Sequence, residues 1–329
     1  MGNGNLIGLP LVSVVIVNHN RCDDLREALL SVKKQDYPAM EIVLVDNASQ
    51  DNSRVMLGKE FPEVSVIALN ENLGMDGYSV GIRQAKGKFI FQMDNDSLLP
   101  DAHVVSEVIK RFEEGPPDLV GVATRVEEYR GNGSSVDELR QRDKRRGPIN
   151  TGGYHAGGVG LKKCLIDQVG YYSRDIFLYG SEIFLTMKLL AKGYKVFYYP
   201  EILVLHRSSS TARNPQGIFY EIRNRYWMVR HFFPRARSAF LILQMMIHDL
   251  GYAVHKRAFR SLFQAWKEGL GPLPPSLKDK LVSERSDFQA KLREIYDTFC
   301  LFATLRRGWK VIQRKRIQTG CLEEIQRKQ

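Results

Sequence analysis

Phe89-Ile90-Phe91-Gln92-Met93-Asp94-Asn95-Asp96-Ser97 is an apolar run that stops at two carboxylates one residue apart, and its reading decides the fold. From Lys88 to Met93 the residues alternate too little for a half-exposed strand. They describe one buried on both faces, as in a parallel sheet. Asp94 and Asp96 then stand where that strand ends. Ligands of open α/β sheets bind outside the carboxyl ends of the strands, and paired oxygen ligands there suit a hard divalent cation, Mg²⁺ or Mn²⁺. The same tripeptide could instead cap a helix starting near Pro100, and the rest of the chain has to separate the two.

Toward the N-terminus, Leu11 to Val17 is a second apolar, β-branched run, followed by Asn18-His19-Asn20-Arg21. A helical pattern runs from Asp23, a plausible N-cap, to Lys34, with Tyr37-Pro38 as a stop. Glu41 to Val45 ends in Asp46-Asn47-Ala48-Ser49-Gln50-Asp51, and Val64 to Leu69 ends in Asn70-Glu71-Asn72-Leu73-Gly74. A helical segment to about Ala85 leads back to the Phe89 strand. Four strands alternating with helices predict an α/β, doubly wound parallel sheet whose polar loops converge on one edge. No Gly-x-Gly-x-x-Gly follows the first strand, which disfavours a dinucleotide site, and Asn18-His19-Asn20-Arg21 is no phosphate-cradling loop of a nucleotidyltransferase. Asp46 sits where a carboxylate can hydrogen-bond a nucleoside, or else caps a helix from Ser49.

Toward the C-terminus, a helix from Pro100 to about Glu114 is broken by Gly115-Pro116-Pro117, and Leu119 to Ala123 is a fifth strand. The charged stretch from Glu127 to Arg146 reads as a mobile loop. Thr151 to Gly160 holds five glycines, as a close approach to a ligand or a twisted strand requires. Ser181 is a good N-cap and Gly193 a good stop for the next helix. Glu182 falls in its first turn, where the helix dipole favours the ionised form; it is a candidate general base or an ordinary first-turn acid. Strands at Tyr194 to Pro200 and Ile202 to Leu205 deliver His206 at another strand end, a structural residue unless it meets Asp96 in space.

With 329 residues, 43% hydrophobic and 26% charged, the chain can build a sizeable core. Four scattered cysteines without ligand spacing point to a reducing compartment, and Met1 to Pro10 has no secretory pattern, so a cytoplasmic location is expected. Ala239 to Ile247 is too short to span a bilayer. The net charge of +11 belongs to the tail: from Arg207 onward 24 Lys and Arg face 10 Asp and Glu, against 24 and 27 before it. Helices are expected from Gln216, from Ala236 to Phe263, and from Leu277 to about Leu305. Their basic residues interleave with Trp227, Phe232, Phe233, Phe240, Trp266, Phe299, Phe302 and Trp309. Such a surface suits the face of an anionic membrane, peripheral on the inner side, or else the aromatics pack the tail onto the preceding domain. No nucleic-acid module is present.

Taken together, the pieces from about Leu11 to Ser210 resemble the family 2 glycosyltransferases with the nucleotide-sugar-binding GT-A fold. They are Val-Val-Ile-Val-Asn-His-Asn (14–20), Val-Asp-Asn-Ala-Ser-Gln-Asp-Asn-Ser (45–53), Asn-Glu-Asn-Leu-Gly (70–74) and Ala-Lys-Gly-Lys-Phe-Ile-Phe-Gln-Met-Asp-Asn-Asp (85–96). Val-Gly-Tyr-Tyr (169–172), Phe-Leu-Tyr-Gly-Ser-Glu (177–182), Gly-Tyr-Lys-Val-Phe-Tyr-Tyr-Pro (193–200) and His-Arg-Ser-Ser (206–209) follow. The resemblance implies a GT-A-like domain over 1–212, binding donor through about 11–100 and acceptor through about 101–212, with a basic helical extension over 213–329. It implies donor-nucleotide contacts at Asn18, His19, Asn20, Asp46, Asn72, Gly74, Asp94 and Asn95. Metal ligation falls to Asp96 and His206 with Asp94, and the base of an inverting transfer to Glu182. The donor would be a nucleotide-diphospho-sugar, the cofactor Mg²⁺ or Mn²⁺, and the acceptor a surface glycan or a lipid-linked one. Where the family commonly reads Glu-Asp-x-Asp, this chain has Ser181-Glu182-Ile183-Phe184, which opens a second reading as a non-catalytic nucleotide-sugar or partner-binding scaffold. The segment Gly74 to Gly81 is one residue shorter than usual, and nothing in the family matches Glu127 to Arg146.

Overall fold

A computed structural model describes residues 8–129, 136–142, 145, 147–207, 215–279, 281, 283 and 285–297. The first half alternates strand and helix: β1 (Val12–Asn18), α1 (Cys22–Lys33), β2 (Met40–Asp46), α2 (Ser53–Glu60), β3 (Ser65–Ala68), α3 (Asp76–Gln84) and β4 (Phe89–Asp94). β1 lies between β2 and β4, parallel to both, and β3 extends the sheet on β2's far side. The register sets Asn18 beside Asp46 and Val17 beside Asp94, so the polar ends of the three strands meet at one edge. Phe89 to Met93 is buried throughout, as the lack of alternation requires. Helix α3 reaches β1 because position 81 is glycine; a Cβ there would stand 2.6 Å from Val15 Cγ1.

The second half reads β5 (Ser97–Leu98), α4 (Val104–Glu114), β6 (Leu119–Tyr129), α5 (Val136–Arg142), β7 (Ile149–Asn150), β8 (Val159–Lys162), α6 (Lys163–Val169), α7 (Ser181–Ala191) and β9 (Lys195–Arg207). The sheet order is β3-β2-β1-β4-β8-β6-β9-β5, with β7 on β9. β6 and β9 are parallel, whereas β4, β6, β5 and β7 each make an antiparallel pair. The result is a mixed α/β sheet flanked by helices.

Several local expectations change. α1 begins at Cys22, and its N-terminal amide is capped by Asp51 Oδ2 at 2.9 Å; Asp23 pairs with Arg26 instead. The N-cap of α7 is Gly180 in the left-handed region (φ 85°), while the Ser181 hydroxyl donates to the Ile176 carbonyl at 2.8 Å. The fifth strand runs on to Tyr129 because its partner β9 is one strand of 13 residues, not two, irregular between Tyr199 and Leu203 where they face Thr124 and Arg125. The charged stretch from Glu127 therefore opens as strand and contains α5, so it is no featureless loop; its residues 130–135, 143, 144 and 146 lie outside the described residues.

Behind the sheet come α8 (Pro215–Phe232), α9 (Arg235–Lys256), α10 (Phe259–Leu270) and α11 (Ser286–Asp297), with a 3-10 turn at Pro275–Leu277. The helix expected from Ala236 to Phe263 is two, divided at Arg257, whose φ of +52° ends α9. The one expected from Leu277 starts nine residues later; Leu305, Phe299, Phe302, Trp309 and the expected boundary near residue 212 lie outside the described residues. Trp227, Phe232 and Phe233 are buried in a core shared with Ile176, Phe184, Met187 and Leu190, with Trp266 half-buried against it. Those aromatics pack the tail onto the sheet domain, as the second of the two expectations had it.

One buried ion pair ties α8 to α9: Arg225 Nη2 donates to Asp249 Oδ1, and the Tyr226 hydroxyl to Asp249 Oδ2 at 2.9 Å. Removing one partner of such a pair strands the other. Asp249→Ala is therefore expected to cost about 3–5 kcal/mol of unfolding free energy in urea titrations, and Asp249→Asn, which keeps an acceptor, less.

Candidate active site

Asp94 ends β4, Asp96 lies in the link to β5, and His206 lies near the end of β9. The antiparallel pairing of Ser97 with His206, reinforced by Arg207 N–H donating to the Asp96 carbonyl at 2.8 Å, draws them together. One ligand atom from each of the three lies within 4.8 Å of the others. His206 Nε2 is 3.1 Å from Asp96 Oδ1 and 3.7 Å from Asp94 Oδ2. Arg21, just past β1, approaches Asp96 Oδ2 at 3.2 Å and Asp24 at 3.1 Å. Because two residues of strand follow Asp96 and α4 begins only at Val104, Asp-Asn-Asp does not cap a helix.

Environment separates the two carboxylates. Burial raises the Asp94 carboxyl, although the Tyr78 hydroxyl donates to its Oδ1 at 2.6 Å. Burial pushes Asp96 the same way, but the His206 hydrogen bond and the charges of His206 and Arg21 outweigh it and hold that carboxyl below its ordinary value. His206 is correspondingly raised by its hydrogen bond to Asp96. Two carboxylate oxygens and an imidazole nitrogen are a donor set that fits Mg²⁺ or Mn²⁺.

A cleft of about 480 Å³ adjoins the cluster, lined by His19, Arg21, Asn47, Asn72, Gly74, Tyr78, Asp94 and Asn95, and across from them by Phe177 to Tyr179 and Gln216, Gly217 and Tyr220 of α8. His19 is oriented by Nδ1, 2.8 Å from the Asn47 carbonyl. Asn72 Oδ1 accepts from Gly74 N–H at 2.8 Å. Gly74 is left-handed (φ +57°), and a Cβ there would stand 2.2 Å from the Phe177 carbonyl. Three expected donor residues line no part of this cleft. Asn18 is buried and clips the edge together, donating to Ser53 Oγ at 2.9 Å and accepting from Asn95 Nδ2 at 2.7 Å. Asn20 accepts from Gln50 N–H at 2.7 Å. Asp46 pairs with Arg54 through Oδ2, while its buried Oδ1 meets no hydrogen-bond donor among the described residues.

Glu182 sits in the first turn of α7, half-buried. Burial pushes its carboxyl up to about 7, and the nearby charge of Asp94 adds to the rise. Helix α8 sets the approach to α7: Asn224 Nδ2 donates to the Leu178 and Tyr179 carbonyls at 2.5 and 2.9 Å, and its Oδ1 accepts from Arg223. Met75 N–H donates to the Phe177 carbonyl at 2.9 Å from the opposite side.

Sequence reasoning missed Arg21, Tyr78, Tyr220 and His155. Arg21 carried a usable signal, a cation directly after a strand-end polar loop. His155 is hidden in the glycine-rich segment; its ring stands edge-on to His206 at 5.1 Å between centroids, and its Nδ1 accepts from Gly157 N–H at 3.0 Å.

Residues 13–170 match the family described as Glycosyl transferase family 2. The chain is 30% identical over 131 residues to an uncharacterized glycosyltransferase of Nostoc sp., covering 39% of this chain and 40% of that one. It is 24% identical over 209 residues to the poly-beta-1,6-N-acetyl-D-glucosamine synthase of Staphylococcus aureus, covering 60% and 50%. The chain thus spans half or less of these two relatives' length. Among solved structures, the mannosyltransferase PcManGT of Pyrobaculum calidifontis in complex with GDP-Man and Mn²⁺ superposes with a TM-score of 0.53 at 18% identity, over 93% of this chain and 84% of that one. The fold is therefore that of the GT-A glycosyltransferases.

The raised carboxyl of Glu182 has a consequence measurable without substrate. A folded state that holds this proton more tightly than the unfolded chain loses stability as pH rises from about 4.5 through about 7. Glu182→Gln is expected to raise the urea-unfolding free energy by up to about 3 kcal/mol at pH 8 and by far less at pH 5. Equal effects at both pH values would contradict the assignment.

Proposed function

We propose that this chain, which belongs to glycosyl transferase family 2 through residues 13–170, transfers a sugar with inversion from a nucleotide-diphosphate donor to a glycan or lipid-linked acceptor in surface-polysaccharide synthesis. The observation that carries this reading is the junction of the cleft with the Asp94, Asp96 and His206 cluster. The cleft has the size of a small-molecule site, and its polar groups converge on one end. The Mn²⁺ and GDP-Man of the structurally similar mannosyltransferase, and the synthase activity named for the staphylococcal relative, support the donor class and the glycan product.

Asp96 and His206, with Asp94, would hold Mg²⁺ or Mn²⁺; when bound, such an ion neutralises charge on the departing nucleoside diphosphate. Arg21 supplies a fixed positive charge at the same end of the cleft. His19, Asn72, Gly74 and Asn95 line the nucleotide's path, and Asn18, Asn20 and Asp46 shape it from behind, Asp46 keeping an unengaged oxygen at the strand edge. Glu182 takes the proton of the acceptor hydroxyl. The acceptor oxygen then bonds to the anomeric carbon as the bond to the diphosphate oxygen breaks on the opposite face, and configuration inverts. A carboxyl pushed up to about 7 is matched to proton abstraction near neutrality. Donor is bound by about residues 11–100 and acceptor by about 101–212, with the basic extension on the cytoplasmic face of a membrane.

A second reading, a scaffold that binds nucleotide sugar without transfer, is motivated by Ser181 and Phe184, both buried and committed to packing or backbone hydrogen bonding. A panel of nucleotide sugars with Mg²⁺ or Mn²⁺, assayed for binding and donor hydrolysis, separates the two. Turnover favours the transferase; tight binding without turnover or transfer favours the scaffold; neither binding nor turnover sinks both. Asp96→Ala is expected to abolish metal-dependent nucleotide binding. Glu182→Gln is expected to retain binding and to lower kcat by at least a hundredfold. In the wild type kcat should climb with pH through about 7 as Glu182 ionises.

A further inference from the structure

Helix α9 is apolar on two opposite faces. One face, with Leu241, Met245 and Ala253, is buried against the neighbouring helices. The other carries Phe240, Leu243, Ile247, Leu250 and Val254, which are 60, 61, 54, 45 and 58% exposed. Their spacing of three and four residues keeps them within an arc of about 80° along about 21 Å of helix. The remaining exposed positions between Arg237 and His255 are Ala239 and Gly251. Helix α10 adds exposed Phe259, Phe263 and Leu270. A continuous apolar stripe of this extent marks a partner surface.

Charge identifies the partner. Exposed cations stand at both ends of the stripe, Arg235 and Arg237 at one, Arg257 and Arg260 at the other. The two acids of these helices are engaged elsewhere, Asp249 buried with Arg225 and Glu268 paired with Arg223. Packing two copies along this seam, parallel or antiparallel, would set cation against cation at both ends. The chain's own residues 298–329, with eight Lys and Arg against two Asp and Glu, carry the same sign. Among the described residues no helix is long and apolar enough to cross a membrane. An apolar face ringed by cations matches the boundary between anionic headgroups and acyl chains.

We propose that α9, with α10 beside it, lies in the surface of an anionic bilayer, its Phe240 to Val254 stripe immersed and its terminal arginines among the headgroups. This rests on and deepens the reading of the tail as a membrane-facing extension, and assigns the contact to an apolar insertion of named residues. It also places the enzyme where a lipid-linked acceptor is presented.

The test is co-sedimentation of the full chain with phosphatidylglycerol vesicles, with phosphatidylcholine vesicles as reference, beside the mass in solution by light scattering. Wild type should bind the anionic vesicles at least tenfold better and lose part of that affinity at high salt. The triple variant L243Q/I247Q/V254Q, altered only at exposed positions and checked for an unchanged thermal midpoint, should lose at least tenfold in partitioning. Binding that the triple variant retains in full overturns the proposal, as does a wild type that ignores the vesicles. A wild-type dimer that becomes a monomer in the triple variant assigns the stripe to a second copy instead. Donor turnover is not part of the readout, so failure here and failure of the transferase reading are separate results.

Discussion

Two carboxylates one residue apart at a partly buried sheet edge repel one another, and the architecture of this protein follows from how that repulsion is answered. Charges of one sign persist together in such a place only when cations face them or one is neutralised. Arg21 comes from the loop after β1 and His206 from β9, which pairs antiparallel with β5. Tyr78, from α3, donates to Asp94. Three separate segments thus converge on a tripeptide that none of them adjoins in sequence. The same three side chains, Asp94, Asp96 and His206, offer two carboxylate oxygens and an imidazole nitrogen within 4.8 Å of one another.

The second constraint is the loop before α7. Phe177 to Gly180 enters a helix through two left-handed residues, Tyr179 and Gly180, and while the Gly180 carbonyl accepts from Phe184 N–H inside α7, the carbonyls of Phe177, Leu178 and Tyr179 accept from other segments. Met75 and the close approach at Gly74 hold it on one side, and Asn224 holds it on the other. The C-terminal helices therefore also shape the site. Through Asn224 and the α8 residues that wall the cleft, they fix where Glu182 stands relative to Asp94.

What the sequence revealed and what it concealed divide along the distance over which each feature is decided. The parallel strands of the first half were legible because burial on both faces writes itself into consecutive residues of Val12–Asn18, Met40–Asp46 and Phe89–Asp94. The Asp96 and His206 juxtaposition was legible only as a condition, since the register of β5 on β9 is set by tertiary pairing. The Ser181 cap failed because Gly180, adopting a left-handed conformation, took the cap position and left the serine hydroxyl to reach back to Ile176. The division of the tail at Arg257 was invisible because a non-glycine residue at positive φ carries no local signature. His155 and Tyr220 were missed for a similar reason: the rings they meet, His206 and Phe177, belong to other elements distant in the chain.

The altered acidic motif becomes intelligible in the same terms. On a helix, positions 182 and 184 are separated by about 200° of arc, so they cannot face the same side. Phe184 points into the core, with its ring 5.6 Å from that of Phe232 and 5.3 Å from that of His231. Glu182, on the other side, is close enough to Asp94 for the two charges to interact. An acid at 184 would here be buried among aromatic rings rather than added to the site, and would carry the cost of an unpaired buried charge. Phe184 is therefore part of the docking of α8, whose Phe232 occupies that side of α7. The single carboxylate in Ser181-Glu182-Ile183-Phe184 is the one whose charge meets that of Asp94.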